Sequence, residues 1–511
     1  MIELGLEGVG KKRYAKNHVF ATLLSCRDEE RIIGALFRSR NRGAAAEFSI
    51  RTPIADFNIV VRELFSLAYQ MKIWEPLTHR VLHPRLAPRL KQQRRSIMTR
   101  GTSISWLAGC ILFLATSASC QKVCDIHVYG AKGDGSTKDT VAIQRAVDDC
   151  SQSGGGTVKI GGSPLFVSGP IVLKSNITLE LASGTTLAAS KDHADFPEKE
   201  EFHAKGRQSL ISALNAQNIT ITGGGVIDGR GDTWWSHRDE PGYTRPRLIV
   251  FDHCKHIKME NITVQNSPMW QIVPYYSEDL TFRNMKVLAP EREAHNSDGI
   301  DPFSSSHVLI ENVTIETGDD NVAIKSGQPN SPGPDAPSHD IIIRDCTFLH
   351  GHGLSIGSEV AGGVHHVLAE RIHFKGTRTG IRVKSNRDRG NDISNLVYRD
   401  ITMEDVDTAI LISAFYPKIP PSIDAEPVTR LTPLFHDITI DNVRATGSKT
   451  AAVIVGLPES PIRNLKITNV HISATTGASI QYTDILANDF VVRAQQGQPV
   501  IIGKGVHDSP K

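Results

Sequence analysis

The chain has 511 residues and a nearly balanced charge, with 57 Lys and Arg against 55 Asp and Glu. The first 120 residues hold 19 of the basic residues and 9 of the acidic ones, so the remainder carries a formal net charge of −8. That sign excludes a general binder of nucleic acid or of an anionic membrane. A polyanionic substrate would need a local basic patch.

The segment before residue 121 predicts export. Residues 104–118 (ISWLAGCILFLATSA) are mostly apolar and follow Arg100, which is the layout of a secretory signal and too short to span a bilayer comfortably. Met98 lies just upstream, so we interpret 98–120 as the signal segment and 1–97 as an extension that is either genuine or a gene-start artefact. A genuine extension would give Arg94 and Arg95 a weak twin-arginine character. Both interpretations predict a secreted or periplasmic protein without a membrane span in its mature part.

Four cysteines follow the signal segment: Cys124, Cys150, Cys254 and Cys346. Their spacing includes no C-x-x-C pair, which argues against a zinc site. Export permits disulfides, and Cys124 and Cys150 flank the first strand-loop-helix unit and could form one. Cys254 and Cys346 are expected to be small buried hydrophobic residues.

That first unit predicts an N-terminal cap. It reads as a strand, a Gly/Asp loop and a short amphipathic helix near 138–150, with Ile143, Ala146, Val147 and Cys150 on one face. The loop at 130–135 lacks the Gly-Lys-Ser/Thr ending of a phosphate-binding loop. The helix is therefore expected to cover the open end of whatever stack follows, where an exposed edge would invite aggregation.

The rest of the chain carries a weak repeat. In each copy a polar residue precedes alternating apolar residues, and copies recur at about 23 to 33 residues, or more where loops intervene. The copies begin at Asn176, Asn218, His256, Asp279, His307, Asp340, His366, Asn395, Asp437 and Asn464. Because no copy can bury its apolar face alone, the pattern predicts an all-β solenoid of stacked strands over 121–490, followed by a tail at 491–511.

Four Asn-x-Thr triplets match the glycosylation sequon, at Asn176, Asn218, Asn261 and Asn312. All four open strands of the repeat. We therefore expect these asparagines to serve tight turns.

Polar residues gather in four segments on successive copies: 296–299 (NSDG), 318–321 (GDDN), 351–353 (GHG) and 382–384 (RVK). Asp319 lies 11 residues after Val308, and His352 lies 11 residues after Ile341. Because Val308 and Ile341 each open the apolar run of their copy, equal offsets place Asp319 and His352 on one wall, one coil apart. An Asp-Asp pair alone is usually a solvated turn. The prediction of a catalytic site therefore depends on the joint occurrence of all four segments.

This set suits the hydrolysis of a charged polysaccharide. One protonated carboxyl can donate to the leaving oxygen, and an ionised carboxylate can activate water. Arg382 and Lys384 can bind uronate carboxylates, Arg through a bidentate contact and Lys as a point charge. Adjacent carboxylates are expected to raise one another's proton affinity.

The motifs resemble glycoside hydrolase family 28, the polygalacturonases, over nearly all of 122–480. The resemblance rests on GVIDGRGDTWW from Gly225, NSPMW from Asn266, NSDGIDP from Asn296, TGDDNVAIKSG from Thr317, GHGLSIGSE from Gly351 and RVK from Arg382. It implies a right-handed parallel β-helix and inverting hydrolysis of α-1,4-galacturonosidic bonds in homogalacturonan, without metal or cofactor. It also implies pectin as the partner, and we expect a monomer.

The resemblance also implies residue roles. Asp319 looks like the general acid, and Asp298 and Asp320 look like the pair that positions and deprotonates water. His352 would tune the acid, while Arg382 and Lys384 would hold galacturonate carboxylates. Substrate contacts are further expected from Asn296, which opens the NSDGIDP motif, and from Tyr416, which approximately matches a sugar-contacting tyrosine of the family.

Two departures leave alternatives open. Ser297 replaces the threonine common in the family, which should change little. The Pro/Gly-rich stretch after Gly327 predicts a longer loop near the cleft and leaves mid-chain or chain-end attack open. A rhamnogalacturonan hydrolase is a further alternative, although the pair Arg382 and Lys384 favours galacturonan. A pectate lyase, which eliminates with calcium and an arginine base, and a non-catalytic carbohydrate-binding rod are the remaining alternatives.

Overall fold

The computed structural model describes residues 31–38, 45–52 and 122–508. The predicted signal segment lies outside the described residues, as does most of the N-terminal extension. Within that extension, strands β1 (Arg31–Arg38) and β2 (Ala45–Thr52) pair in antiparallel register. They belong to a unit separate from the one that begins at Ser119.

The second unit consists mainly of strands. Its first strands are β3 (Lys122–Asp125), β4 (Asp134–Lys138), β5 (Gly156–Ile160), β6 (Leu165–Ser168), β7 (Ile171–Leu173), β8 (Ile177–Leu181), β9 (Thr186–Ala189), β10 (Glu198–Glu201), β11 (Ala204–Arg207), β12 (Ile211–Leu214), β13 (Gln217–Thr222), β14 (Val226–Asp228), β15 (Ile249–Asp252), β16 (Lys255–Glu260), β17 (Thr263–Gln265), β18 (Ile272–Tyr275) and β19 (Glu278–Leu288). They are followed by β20 (Ser306–Glu316), β21 (Val322–Ser326), β22 (Ser338–Arg344), β23 (Thr347–Phe348), β24 (Leu354–Val360), β25 (Val364–Glu370), β26 (His373–Lys375), β27 (Thr379–Lys384), β28 (Asp392–Glu404), β29 (Thr408–Ser413), β30 (Leu434–Val455), β31 (Ile462–Gln481), β32 (Thr483–Ile502) and β33 (Val506–Asp508). Helix α1 spans Thr140–Gln152, and short 3-10 helices lie at Ile126–Tyr129, His193–Asp195, Gly231–Thr233 and Trp235–His237.

The strands form the three walls of a right-handed parallel β-helix, which confirms the predicted fold. Wall 1 contains β7, β12, β15, β18, β21, β24, β27 and β29, each pairing in parallel with the next or bridged to it. Wall 2 contains β8, β13, β16, β22, β25 and the first halves of β19, β20 and β28. Wall 3 contains β9, β14, β17, β23 and β26 with the second halves of the same long strands.

The core is the interior of these coils. Every second wall-2 residue points inward, and the inward residues of successive coils lie in register. One such column is Ile257, Leu280, Val308, Ile341, Val367, Leu396, Ile438 and Leu465, all buried. Val308 pairs with Ile341 in this register. The prediction that Asp319 and His352 lie on one wall, one coil apart, depends on that pairing.

The polar residue that opens each repeat copy occupies a turn. All ten of these residues have a positive φ, between 51° and 63°, at the corner between wall 1 and wall 2. Asn261 and Asn312 adopt the same conformation at the corner between walls 2 and 3. Asn, Asp and His are the side chains that tolerate this left-handed conformation best, so the turn interpretation of the asparagines is consistent with their backbone.

The N-terminal end is closed by α1, which begins two residues later than the sequence pattern suggests. Its buried face includes Ile143, Ala146, Val147 and Cys150, as predicted. Cys124 and Cys150 form a disulfide. Within the described residues Cys254 and Cys346 are free and buried.

At the other end, β32 runs through Ile502 and pairs with β31 up to that residue. The parallel ladder thus continues past residue 490, into the segment expected to be a tail. Among the described residues, no helix is both long enough and apolar enough to cross a membrane.

A hairpin that the sequence pattern did not predict lies on wall 1. Strands β10 and β11 pair in antiparallel register, and Phe202 in the turn between them packs on Val250, Val273, Tyr275 and Phe303. These four side chains alternate with inward-pointing neighbours, so they lie on the outer face of wall 1. The hairpin therefore covers this part of the wall.

Candidate active site

The acidic residues lie where loops enter the strands of wall 1. Asp298 precedes the bridge at Ile300, and Asp319 and Asp320 precede β21. His352 precedes β24 in the next coil, and its backbone N–H donates to the Asp319 carbonyl over 2.7 Å. The stacked coils thus bring together the residues that the equal offsets placed on one wall.

Asp320 is the most heavily bonded carboxylate of the group. It is buried, and it accepts hydrogen bonds from Ser355 Oγ (2.7 Å) and Arg382 Nη1 (2.8 Å) on Oδ1 and from Lys384 Nζ (2.7 Å) on Oδ2. Burial alone would raise the pKa of Asp320, but the two cations outweigh it and hold that pKa far below its usual range. Asp320 is therefore an ionised carboxylate.

The predicted cation pair projects outward between inward-pointing Ile381 and Val383, as the alternation indicated. These side chains, expected to hold uronate carboxylates, both bind Asp320 in the structure. Lys384 is buried, which lowers its pKa, and its Nζ lies 5.3 Å from the centre of the Tyr416 ring. Tyr416 thus lies beside the site.

Asp319 is the most accessible of the three aspartates, with 22% of its side chain exposed. His352 Nδ1 lies 2.8 Å from Asp319 Oδ1, and Asn296 Nδ2 donates to Asp319 Oδ2 over 3.3 Å. Burial raises the pKa of Asp319, but the contact with His352 more than offsets this and leaves that pKa below its usual range. The carboxyl of Asp319 is therefore ionised in the absence of substrate, contrary to the expectation that neighbouring carboxylates would keep it protonated.

Asp298 behaves oppositely. Burial, together with the charges of Asp301 and Asp319, raises the pKa of Asp298 well above its usual range. The mutual effect of carboxylates expected from the sequence is thus present at Asp298 and outweighed at Asp319 and Asp320. One group retains a proton while its neighbours are ionised.

Two further charged residues near Asp298, Lys325 and Asp301, were not predicted from the sequence. Lys325 is buried, with Nζ 3.8 Å from Asp298 Oδ2 and 3.7 Å from Glu359 Oε2. Burial raises the pKa of Asp301 to about 7, and neither of its buried oxygens has a hydrogen-bond partner among the described residues. Both residues stand inside motifs already quoted, and each follows an inward apolar residue, so alternation alone could have placed them on the outer face.

Two arginines also escaped the sequence analysis. Arg245 donates through Nη2 to Asn296 Oδ1 over 2.8 Å and so orients the amide that contacts Asp319. Arg247 is buried, binds Glu201 of the hairpin over 3.1 Å and lies over the rings of Phe202 and Trp270 at 4.1 and 4.6 Å. The hairpin is therefore anchored directly beside the acidic group.

Asp319, Asp320 and His352 could in geometry hold a metal ion, since one donor atom from each lies within 4.8 Å of the others. Both oxygens of Asp320 already accept from cationic side chains, however. A divalent ion would have to compete with Arg382 and Lys384, so this donor set fits a metal poorly.

A parallel β-helix that displays several carboxylates and two cations on one wall has the architecture and the groups of a polysaccharide-cleaving enzyme. The model of glycosyl hydrolases family 28 matches residues 150–489, and the chain belongs to that family. Membership of a glycoside hydrolase family argues against the two remaining alternatives, a pectate lyase and a non-catalytic carbohydrate-binding rod.

Relatives and solved structures agree with this assignment. A probable polygalacturonase of Vitis vinifera is 32% identical, over 67% of this chain and 73% of the relative. An endo-polygalacturonase of Pectobacterium carotovorum subsp. carotovorum is 30% identical, over 69% and 88%. The structure is similar to a hyperthermoactive exopolygalacturonase from Thermotoga maritima, with a TM-score of 0.64 and 27% identity over 74% of this chain and 93% of that one.

Proposed function

We propose that this protein hydrolyses α-1,4-galacturonosidic bonds of homogalacturonan in a single displacement with inversion. The observation that carries the proposal is the convergence of Asp298, Asp319 and Asp320 with Arg382 and Lys384 on one wall. The endo-polygalacturonase and the exopolygalacturonase to which the chain is similar support the same substrate class.

The proton needed by the leaving oxygen is assigned to the His352–Asp319 pair. In the free enzyme the contact of His352 Nδ1 with Asp319 Oδ1 holds the pKa of Asp319 below its usual range. Substrate brings a further carboxylate into the site, and this negative charge raises the pKa of Asp319, so that the carboxyl takes up a proton. Asp319 then donates it to the glycosidic oxygen as the bond to C1 breaks.

Water attacks C1 from the opposite face, positioned by Asp298 and Asp320, and passes its proton to Asp320, the ionised member of the pair. A uronate group that recruits Arg382 and Lys384 draws both cations away from Asp320. Losing these partners raises the pKa of Asp320, so the base strengthens when substrate is bound. The two cations thus couple recognition of the uronate to activation of water.

The hairpin favours attack near a chain end. It covers the outer face of wall 1 at β15 and β18, in the coils before the aspartates, and Gln328 of the Pro/Gly-rich loop donates to the Phe202 carbonyl over 3.3 Å. A cleft limited on one side accepts only a short stretch of polymer there. We also propose that the protein is secreted through residues 98–120 and acts as a monomer.

The experiment that tests the function is the digestion of defined oligogalacturonates by wild type and by Asp319→Asn. Wild type should release reducing ends without unsaturated uronates, and the variant should lose activity by roughly 10²- to 10⁴-fold with an unchanged melting temperature. Asp345→Asn is the control, because it makes the same change at an aspartate that forms an exposed ion pair with Arg371. Full activity in the Asp319 variant would remove the assigned acid.

A further inference from the structure

The corner between wall 1 and wall 2 carries an ordered set of side chains that catalysis does not use. In five consecutive coils the residue with positive φ is His256, Asp279, His307, Asp340 and His366, so that imidazole and carboxylate alternate. The turn itself requires only a left-handed residue, a role that Asn218 and Asn395 fill in the coils before and after. The backbone therefore does not explain the alternation.

Asp279 lies between two imidazoles. His256 Nδ1 is 3.1 Å from Asp279 Oδ2, and His307 Nδ1 is 4.0 Å from Asp279 Oδ1. Glu278 joins the group, with Oε1 3.9 Å from His307 Nδ1. Asp279 and His307 are exposed and Glu278 is half-buried, so solvent reaches the donor atoms.

We propose that Glu278, Asp279 and His307 form a binding site for a divalent transition-metal ion of the zinc type, since one donor atom from each lies within 4.8 Å of the others. A tetrahedral ion with bonds of roughly 2.0 to 2.2 Å holds its donor atoms about 3.3 to 3.6 Å apart. His307 Nδ1 lies 3.9 Å from Glu278 Oε1 and 4.0 Å from Asp279 Oδ1, slightly beyond that range, so small side-chain rotations would complete the site. Oε2 of Glu278 lies 2.8 Å from Lys255 Nζ, which leaves Oε1 for the ion. An imidazole with two carboxylates suits zinc, whereas calcium and magnesium prefer oxygen donors alone.

The neighbouring coils extend the donor set. Asp340 Oδ2 lies 2.7 Å from His339 Nδ1 and 3.8 Å from His307 Nε2, and Asp340 Oδ1 lies 3.7 Å from His366 Nδ1. The two nitrogens of His307 thus face two carboxylates on opposite sides. A groove of about 1000 Å³ along wall 2 includes Asp279, His307, Asp340 and His366 in its lining and gives an ion open access.

A bound ion would join two successive coils. Glu278 and Asp279 belong to β19 and His307 belongs to β20, and these strands otherwise associate through backbone pairing and the apolar column. An ion that binds only the stacked arrangement stabilises the fold by mass action. The alternative is a set of exposed ion pairs, which contribute little.

The test is calorimetric titration of the full chain with zinc chloride, together with melting curves in zinc and in calcium. Asp279→Asn and His307→Asn remove a ligand yet keep a residue that tolerates the left-handed turn, so folding should be preserved. Asp489→Asn is the matched control, since Asp489 also has a positive φ and pairs with His471 over 3.0 Å. Asp319→Asn tests whether zinc binds the catalytic group instead.

Wild type, Asp489→Asn and Asp319→Asn should each bind zinc and melt at a higher temperature in zinc than in calcium. Asp279→Asn and His307→Asn should bind at least tenfold more weakly and show no zinc-dependent rise. The proposal is overturned if wild type does not bind zinc, if His307→Asn binds like wild type, or if binding is lost in Asp319→Asn. None of these readouts depends on hydrolysis.

Discussion

At the scale of single residues, the site separates groups of the same chemical type by their surroundings. Asp320 is held ionised by Arg382 and Lys384, while burial holds the pKa of Asp298 well above its usual range. Asp319 is ionised through its contact with His352. Divergent environments for like carboxyls are the usual means of assigning acid and base roles in one site.

Replacing His352 tests whether this residue sets the pKa of the general acid. In His352→Ala the contact that lowers the pKa of Asp319 is lost, while burial and the charge of Asp320 still raise it, so that pKa should rise. We therefore expect the alkaline limb of the kcat/KM profile to move to higher pH and the maximal rate to fall. An alkaline limb at the wild-type position would show that His352 does not tune Asp319.

Replacing Lys384 tests the coupling between recognition and base strength. In Lys384→Met one of the two cations on Asp320 is lost, so the pKa of Asp320 should rise, and a uronate contact is lost as well. We expect a higher KM, from the lost uronate contact, and an acidic limb of the kcat/KM profile that moves to higher pH, from the raised pKa of Asp320. Lys375→Met, which removes an exposed partner of Glu404, is the control. Kinetics that match wild type would show that Lys384 contacts neither group productively.

These residues were partly predictable. Strand alternation was enough to place Arg382 and Lys384 outward and to bring His352 beside Asp319, because the coils repeat in register. Alternation could not show that the two cations bind Asp320 in the free enzyme, since that contact depends on how the loops before β21 enter the wall. The buried Lys325 went unnoticed because its neighbours suggest an apolar strand.

At the scale of elements, the hairpin β10–β11 decides how much of wall 1 substrate can reach. Its sequence, EKEEFHAKGR, is charged and lacks the apolar alternation that identifies a strand. It folds because Phe202 finds an apolar surface on wall 1 and because Glu201 pairs with buried Arg247. Such long-range partners are invisible to local patterns, which explains why the element was missed.

Phe202→Ala should loosen this hairpin without unfolding the solenoid. Truncating a buried Phe typically costs about 3 to 5 kcal/mol, and here the loss falls on a peripheral element. We expect longer products and faster cleavage of long polymer relative to short oligomers. Sizing of the products over time measures both. Leu214→Ala, at an exposed wall-1 position, is the control and should leave the products unchanged. Unchanged products in Phe202→Ala would show that the hairpin does not limit the cleft.

At the scale of the whole molecule, the β-helix is a stack whose ends need protection. Helix α1 covers the first coils, and the disulfide from Cys124 to Cys150 ties it to β3. The repeat was readable because each coil demands a left-handed residue and an inward apolar column. At the C-terminal end, β32 continues past residue 490 with many exposed residues, which is why the sequence pattern there predicts a tail.

Removing that disulfide tests the cap. The bond spans 26 residues, and closing a loop of that size stabilises a fold by about 3.5 kcal/mol in the chain-entropy description. Cys124→Ser with Cys150→Ser should therefore lower the melting temperature, while activity at low temperature persists because the site lies several coils away. An unchanged melting temperature would show that the cap does not limit stability.

The most direct test of the central claim is the stereochemistry of the first product. Proton NMR of trigalacturonate during early digestion should show the new reducing end appearing first as the β-anomer and only later equilibrating with the α-anomer. Initial formation of the α-anomer, or of an unsaturated uronate, would contradict direct displacement by water at this site.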